Sequence, residues 1–565
     1  MHKRVFAFAF ILSISILAVA KTQSKHSSRA SAHLPPSAIA AMQKFDPERI
    51  RAHVKFLASD LLEGRGTGAR GGDIAAEYIA TQFELYGLKP AGDNGTYMQK
   101  VPMVGVTPLP ATTFSLISSN GKSTDLKPLD DYVAYNEQQQ PETDVDAPIV
   151  FVGYGIDAPE YNWDDYKGVD VKGKVLLMFV NEPSSADDPK FFNGPALTYY
   201  GRWTYKYEEA ARKGAVSAIL IHRTEMASYG WDVVRNSNSG EKSYLKLEGT
   251  PKLKVASWIQ WSAAEALARD SKLDLARLMS DAQSRNFRPV ELQTKLRAHM
   301  VSKIRPFDSQ NVLATLPGSD AKLKDEAVMY SAHYDHLGIR RDMPGDNIYN
   351  GANDNATGCG IVLELARAYA EASQKPRRSV LFAAVTGEEQ GLLGSEYLGK
   401  HPPIPAAKIT LDLNYDDIPP LGSPEEVEVV GAERTTFYPT VQALADEFRL
   451  AIRPDSRPQA GHYYRSDHFS LARVGIPAFS INEGVKYKGH DAAWGRQQAD
   501  EFTAKHYHQP SDEYHADMDF TGDATMARFG FALGWDAANS ANLIGWQKGD
   551  EFERARLASK AGGSQ

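Results

Sequence analysis

The chain has 565 residues, a length that suggests two or three domains. With 42% apolar and 10% aromatic residues it has the material for substantial cores. A net charge of -8 excludes the basic field expected of a nucleic-acid binder. The single cysteine, Cys359, excludes internal disulfides and leaves stability to packing and bound metal.

The first elements are a targeting segment and a linker. His2, Lys3 and Arg4 precede an apolar run ending in Ala18-Val19-Ala20, which reads as a cleavable signal peptide over 1–20. At about 15 residues the run is short for a membrane span, which needs roughly 20. Export to the periplasm or the medium follows, without a stable membrane anchor. Residues 21–44 are rich in Ser, Ala, His and Pro and read as a flexible linker. Structure is expected from 45, where Asp46 and Pro47 open a helix carrying Ile50, Val54, Leu57 and Leu61. A second helix, "GGDIAAEYIATQFELYGL", is closed by Gly87.

The texture changes near 141. "APIVFVGYGI" and "GKVLLMFV" read as strands, and "YEEAARKGAVSAILIH" as helix, turn and strand. The aromatics between 185 and 206 read as a subdomain core or as a lid. From about 301 strands alternate with helices: "AVMYSAH", "GCGIVLELARAYAEAS", "SVLFAAVTGEE", "AKITLDLNYDD", "TVQALADEF" and "GIPAFSI". This order predicts an α/β fold with a mostly parallel central sheet and helices on both faces. Residues 546–565 read as a polar tail.

In parallel sheets, sites collect at the carboxyl ends of strands. Those ends carry His333 and Asp335, Glu388 and Glu389, and Asp416 and Asp417; Asp354 precedes a helix, and His508 lies late in the chain. Singly each has an ordinary role, as a helix cap, a loop acid or a surface histidine. Together they would be costly to bury without a cation. Imidazole with carboxylate suits zinc, or less selectively manganese or cobalt. The stoichiometry suggests two ions, each with one histidine and one carboxylate, sharing an aspartate. A spare glutamate of the "EE" pair is then available as a general base. Asp335, two residues beyond His333, is placed to accept the other ring N–H of that histidine.

"HYDHLG", "GANDNATG", "GEEQGLLGSEYL", "LNYD", "SDHFSLARVGIP" and "YHQPSDEY" occur in the order found in the di-zinc aminopeptidases of metallopeptidase family twenty-eight. The resemblance spans roughly 45–540. It divides the chain into peptidase parts at 45–140 and 301–545, and 141–300 resembles the β-rich protease-associated domain inserted in relatives. It implies one zinc on His333, Asp354 and Asp416 and another on Asp354, Glu389 and His508, with Glu388 as general base. Asn355, where the family often has Asp, is a mild departure. Asp467 and His468 would shape the base of the site, and His336 would support it or lie at the surface. Tyr463 lies where some relatives place an oxyanion-stabilising tyrosine, and Tyr507 is its rival. The activity implied is removal of N-terminal residues from peptides by a water that two zinc ions activate. Alternatives on the same fold are a carboxypeptidase, for which Arg465 could bind a terminal carboxylate, a glutaminyl cyclase, and a receptor-like protein without activity.

Overall fold

A computed structural model describes residues 34–562 apart from 185–187, 189, 248, 342 and 456. The expected signal peptide at 1–20 lies outside the described residues, as does the expected linker up to 33. The remainder of the linker is not featureless: Pro36–Met42 is a helix that buries Ala38 and Ala41. The helix Pro47–Leu57 starts as its sequence predicts, with the Asp46 carboxylate accepting from the Glu48 N–H at 3.0 Å.

The centre of the fold is a run of parallel strands. Ala327–His333 pairs in parallel with Ser379–Val385 on one side and Ile409–Asn414 on the other, and Ala478–Ser480 continues the sheet beyond Ile409–Asn414. Every residue of the first three strands is buried, the pattern of a sheet covered on both faces. Alternation sorts their side chains. Val328, Tyr330 and Ala332 join the core formed with helices Pro47–Leu57, Arg70–Leu85, Thr357–Glu371 and Thr521–Asn539. Ala327 and Met329 point the other way, toward Leu398 and Leu471 of helices Leu393–Lys400 and His468–Arg473.

A single strand, Val290–Leu316, connects this sheet to a second group. Its final residues pair antiparallel with Ser379–Val385, and its earlier residues with Glu142–Phe151. Beyond Glu142–Phe151 lie Val175–Phe179, Ser217–His222 and Val255–Gln260, all parallel to one another. Helices flank them: Trp203–Arg212 lies on the face of Leu176, Met178 and Leu220, and Trp261–Asp270 and Leu275–Ala282 on the face of Leu177, Phe179, Ile219 and Ile221. The segment 141–300 is thus α/β, not the β-rich module expected, because fully apolar runs such as Val175–Phe179 need cover on both faces. The aromatics of 185–206 belong to that packing: Phe191, Phe192 and Tyr205 are buried in its core.

The expected polar tail is also structured. Trp546 and Phe552 are buried against Tyr463 and Phe469, and a last helix runs Glu553–Gly562. No helix of the described residues is long and apolar enough to cross a membrane.

Candidate metal centre

Because Ala327–His333, Ser379–Val385 and Ile409–Asn414 run parallel, their carboxyl ends share one edge, and the loops leaving it carry the predicted residues. His333 Nε2 lies 3.0 Å from Asp416 Oδ1 and 3.3 Å from Asp354 Oδ1. His508 Nε2 lies 3.3 Å from Asp354 Oδ2 and 3.1 Å from Glu389 Oε2. The two oxygens of Asp354 therefore face two different groups. His333, Asp354 and Asp416 form one cluster of converging donor atoms, and His336, Asp354 and Glu389 form a second.

His336 corrects the sequence reading, which put it beside the site or at the surface. It is 1% exposed, and its Nδ1 lies 2.5 Å from Glu389 Oε1 and 3.9 Å from Asp354 Oδ2. Neither ring nitrogen makes a hydrogen bond, nor does Glu389 Oε1. Buried polar atoms that approach without bonding one another are what a missing cation leaves behind. The donors are imidazole nitrogen and carboxylate oxygen, which fits zinc. The second "H" of "HYDH" is the signal in the sequence.

Asp335 also differs in detail. His333 Nδ1 meets the backbone oxygen of Asp335 at 3.1 Å, while the carboxylate lies 3.8 Å away. That carboxylate accepts instead from the Thr67 hydroxyl at 2.8 Å and the Glu388 N–H at 3.2 Å. It thus fixes the loop that carries the glutamate pair. Asp512 does the same for the shared aspartate, accepting from the N–H groups of Asn353 at 2.9 Å and Asp354 at 3.1 Å. Asn355 secures the other side, donating to the Tyr415 carbonyl and accepting from the Gly358 N–H. Arg65 was missed altogether. Fully buried, it donates to the carbonyls of Tyr334, Leu57, Asn350 and Gly351, tying both ligand loops to the helix Pro47–Leu57.

The electrostatics are those of a cation site. Burial opposes charge on His333, but Asp416 and Glu388 outweigh it and raise its pKa far above the imidazole value. His508 behaves likewise, with Glu389 and Asp354 as the cause. Burial, with Asp416, Glu389 and Asp467 adding like charge, lifts Glu388 well above the carboxylate range. Asp467 is buried, both its oxygens lack hydrogen bonds, and its pKa is pushed up to about 7, chiefly by burial. His468 does not face the cluster; its ring packs at 4.7 Å on Tyr463. Protons crowd in where carboxylates outnumber cations, and a divalent ion would displace them.

The two tyrosines separate cleanly. Tyr463 donates its hydroxyl to the Ala478 carbonyl at 3.1 Å, and its ring stacks on Phe552 under the Arg434 guanidinium. It is a packing residue, which corrects its assignment to the site. Tyr507 stacks on the His508 ring at 4.0 Å, and burial followed by Asp354 and Asp417 raises its pKa far above that of a free phenol.

Residues 311–530 match the model of Peptidase family M28. A probable zinc metalloprotease of Pyricularia oryzae is 38% identical over 100 residues, covering 17% of this chain and 18% of that protein. Leupeptin-inactivating enzyme 1 of Streptomyces exfoliatus is 28% identical over 208 residues, 36% of this chain and 42% of that one. The chain thus matches less than half the length of these curated relatives. In overall fold it is similar to the aminopeptidase from Aneurinibacillus sp. strain AM-1, with a TM-score of 0.52 and 20% identity over 90% of this chain and 97% of that one. The matched residues 311–530 include the loops bearing His333, Asp354, Glu388, Glu389, Asp416 and His508.

Proposed function

We propose that the protein is an exported zinc aminopeptidase. The observation that carries this reading is the pair of imidazole–carboxylate clusters sharing Asp354, with Glu388 beside them. His333, Asp354 and Asp416 would hold one zinc; Asp354, Glu389 and His508, with His336 as a further donor, would hold the other. Bound zinc supplies Lewis-acid polarisation of the scissile carbonyl and eases deprotonation of the attacking water.

The chain's own groups do the rest. Glu388, held by its N–H on Asp335, takes the proton of the attacking water and returns it to the leaving nitrogen. Tyr507 keeps its proton and can donate to the developing oxyanion. The surplus of carboxylates suits a free α-ammonium group, which favours cleavage at the amino end. The segment 141–300, read as an inserted protease-associated domain, borders the site: the Ser243 N–H donates to the Gln390 side chain at 3.0 Å, next to Glu389. Export rests on the basic and apolar start of the chain.

The test is incubation of the mature protein with mixed short peptides, with and without a chelator, read by mass spectrometry. Chelator-sensitive loss of N-terminal residues, blocked by N-acetylation, is expected. Loss from the carboxyl end, or of ammonia from N-terminal Gln, would replace this reading with a carboxypeptidase or a cyclase.

A further inference from the structure

We infer that Gln390 is a positioning residue for Glu388 and Glu389, and that it acts by fastening their loop to the 141–300 segment; this rests on the peptidase reading. The loop 387–391 has a glycine at either end. Gly387 has a φ of 67° and Gly391 a φ of 110°, left-handed values that glycine adopts without strain. Glycine also leaves the chain freest to turn, so both ends of the loop are soft and the glutamate pair depends on bonds from outside it.

Two such bonds are present, one at each end of the pair. The Glu388 N–H donates to Asp335 Oδ1 at 3.2 Å, and Gln390 Oε1 accepts from the Ser243 N–H at 3.0 Å. Ser243 belongs to the strand Lys242–Leu245, which pairs antiparallel with Met98–Pro108. It is buried, so its N–H requires an acceptor from the protein, and the Gln390 carboxamide is that acceptor. The two bonds belong to one network. The other oxygen of Asp335 accepts from the Thr67 hydroxyl at 2.8 Å. Beside Thr67, the Gly68 carbonyl accepts from Arg305 at 3.4 Å, and Arg305 pairs with Glu241 at 2.6 Å. Glu241 lies two residues before Ser243. The contacts therefore form a closed circuit that leaves the glutamate pair through Gln390 and returns to it through Asp335.

Half of that circuit runs through the 141–300 segment, which makes the segment part of the catalytic frame as well as a neighbour of the cleft. The link between the halves is a single neutral hydrogen bond, and such a bond adds little to global stability. Its leverage is on geometry. A base displaced by about 1 Å from the proton it takes can lose about 100-fold in rate. Loss of the Gln390 bond is therefore felt in turnover, and hardly in substrate binding or unfolding.

The experiment uses the full zinc-loaded chain and the peptide it cleaves fastest among the mixed short peptides. Gln390→Met keeps the length of the side chain and removes its amide acceptor. Its kcat should fall about tenfold while KM and zinc content stay as in the parent. Gln390→Glu keeps an acceptor oxygen at the same reach and should recover most of the lost kcat. An unchanged kcat in Gln390→Met, a loss accompanied by lost zinc, or an equal loss in both variants would overturn the assignment. Hydrogen exchange on the same zinc-loaded chains needs no turnover. The Ser243 amide, read by mass spectrometry in fragments spanning 241–247, should exchange about tenfold faster in Gln390→Met than in the parent. Peptide cleavage with equal exchange in parent and variant sinks the link and leaves the peptidase; faster exchange in a chain that cleaves no peptide does the reverse.

Discussion

Asp354 shows how much one side chain can be asked to do. Its oxygens address His333 on one side and His508 on the other, while Asp512 holds its backbone N–H. Roles can be separated here by what each substitution removes. Glu388→Gln should keep the metal content measured by elemental analysis and lower kcat by about 100-fold or more; retained turnover would remove Glu388 as the base. His336→Asn should reduce zinc retained after dialysis while His333→Asn affects the other cluster, so that each variant keeps about one ion where the parent keeps two. Unchanged retention in His336→Asn would return it to a packing role. Tyr507→Phe should lower kcat at least tenfold, within the range seen when one oxyanion donor is lost, whereas Tyr463→Phe should affect stability by about 1 kcal/mol through its lost hydrogen bond.

At the scale of elements, the site depends on loops held by a fully buried guanidinium. Arg65→Met would leave the carbonyls of Tyr334, Leu57, Asn350 and Gly351 without their donor and should cost several kcal/mol in urea unfolding. The helix Pro47–Leu57 carries a second testable group. His53 bonds the Tyr78 hydroxyl at 2.8 Å, and burial, aided by Arg49 and Arg367, lowers its pKa from 6.5 to about 4. The unfolded chain therefore binds a proton below pH 6.5 that the native chain refuses until about pH 4. Stability present above pH 6.5 is lost as pH falls through that window, by about 3 kcal/mol when complete. In His53→Gln the fall in unfolding free energy between pH 6.5 and 4 should be smaller by about that amount.

The same elements show what the sequence could and could not disclose. Ala327–His333, Ser379–Val385 and Ile409–Asn414 were legible because buried parallel strands are continuous apolar runs, and their polar ends then stood out. Val290–Leu316 was not: it alternates, contains Pro306, and pairs with five different strands along its length. Arg65 was invisible because its partners are carbonyls, which no side-chain pattern records. His336 and Tyr507 were present in quoted motifs, but only the folded loops show which ring faces Glu389 and which tyrosine lies on His508. The 546–565 stretch looked polar since its anchors are few, Trp546 and Phe552, and Arg556 is buried by contact with the carbonyls of Ala406 and Ile544.

For the whole molecule, bound metal should count toward stability as well as chemistry. A ligand that binds only the native state adds about 4 kcal/mol at a free concentration 1,000 times its dissociation constant. Thermal scanning in the presence of a chelator should thus show a lower midpoint, restored by added zinc, and a midpoint indifferent to both would mean that the clusters hold no metal.

The strand Val290–Leu316 has one more implication. Its 27 residues are hydrogen-bonded into both sheets, so no hinge of slack chain separates the strands of the 141–300 segment from those that carry the metal-ligand clusters. Substrate entry is then a matter of small side-chain and loop displacements around a stiff spine, not of two lobes swinging apart. Cutting the gene at 300 to express the halves separately would sever that spine, and each fragment would present an unpaired strand edge of the sort that recruits other chains.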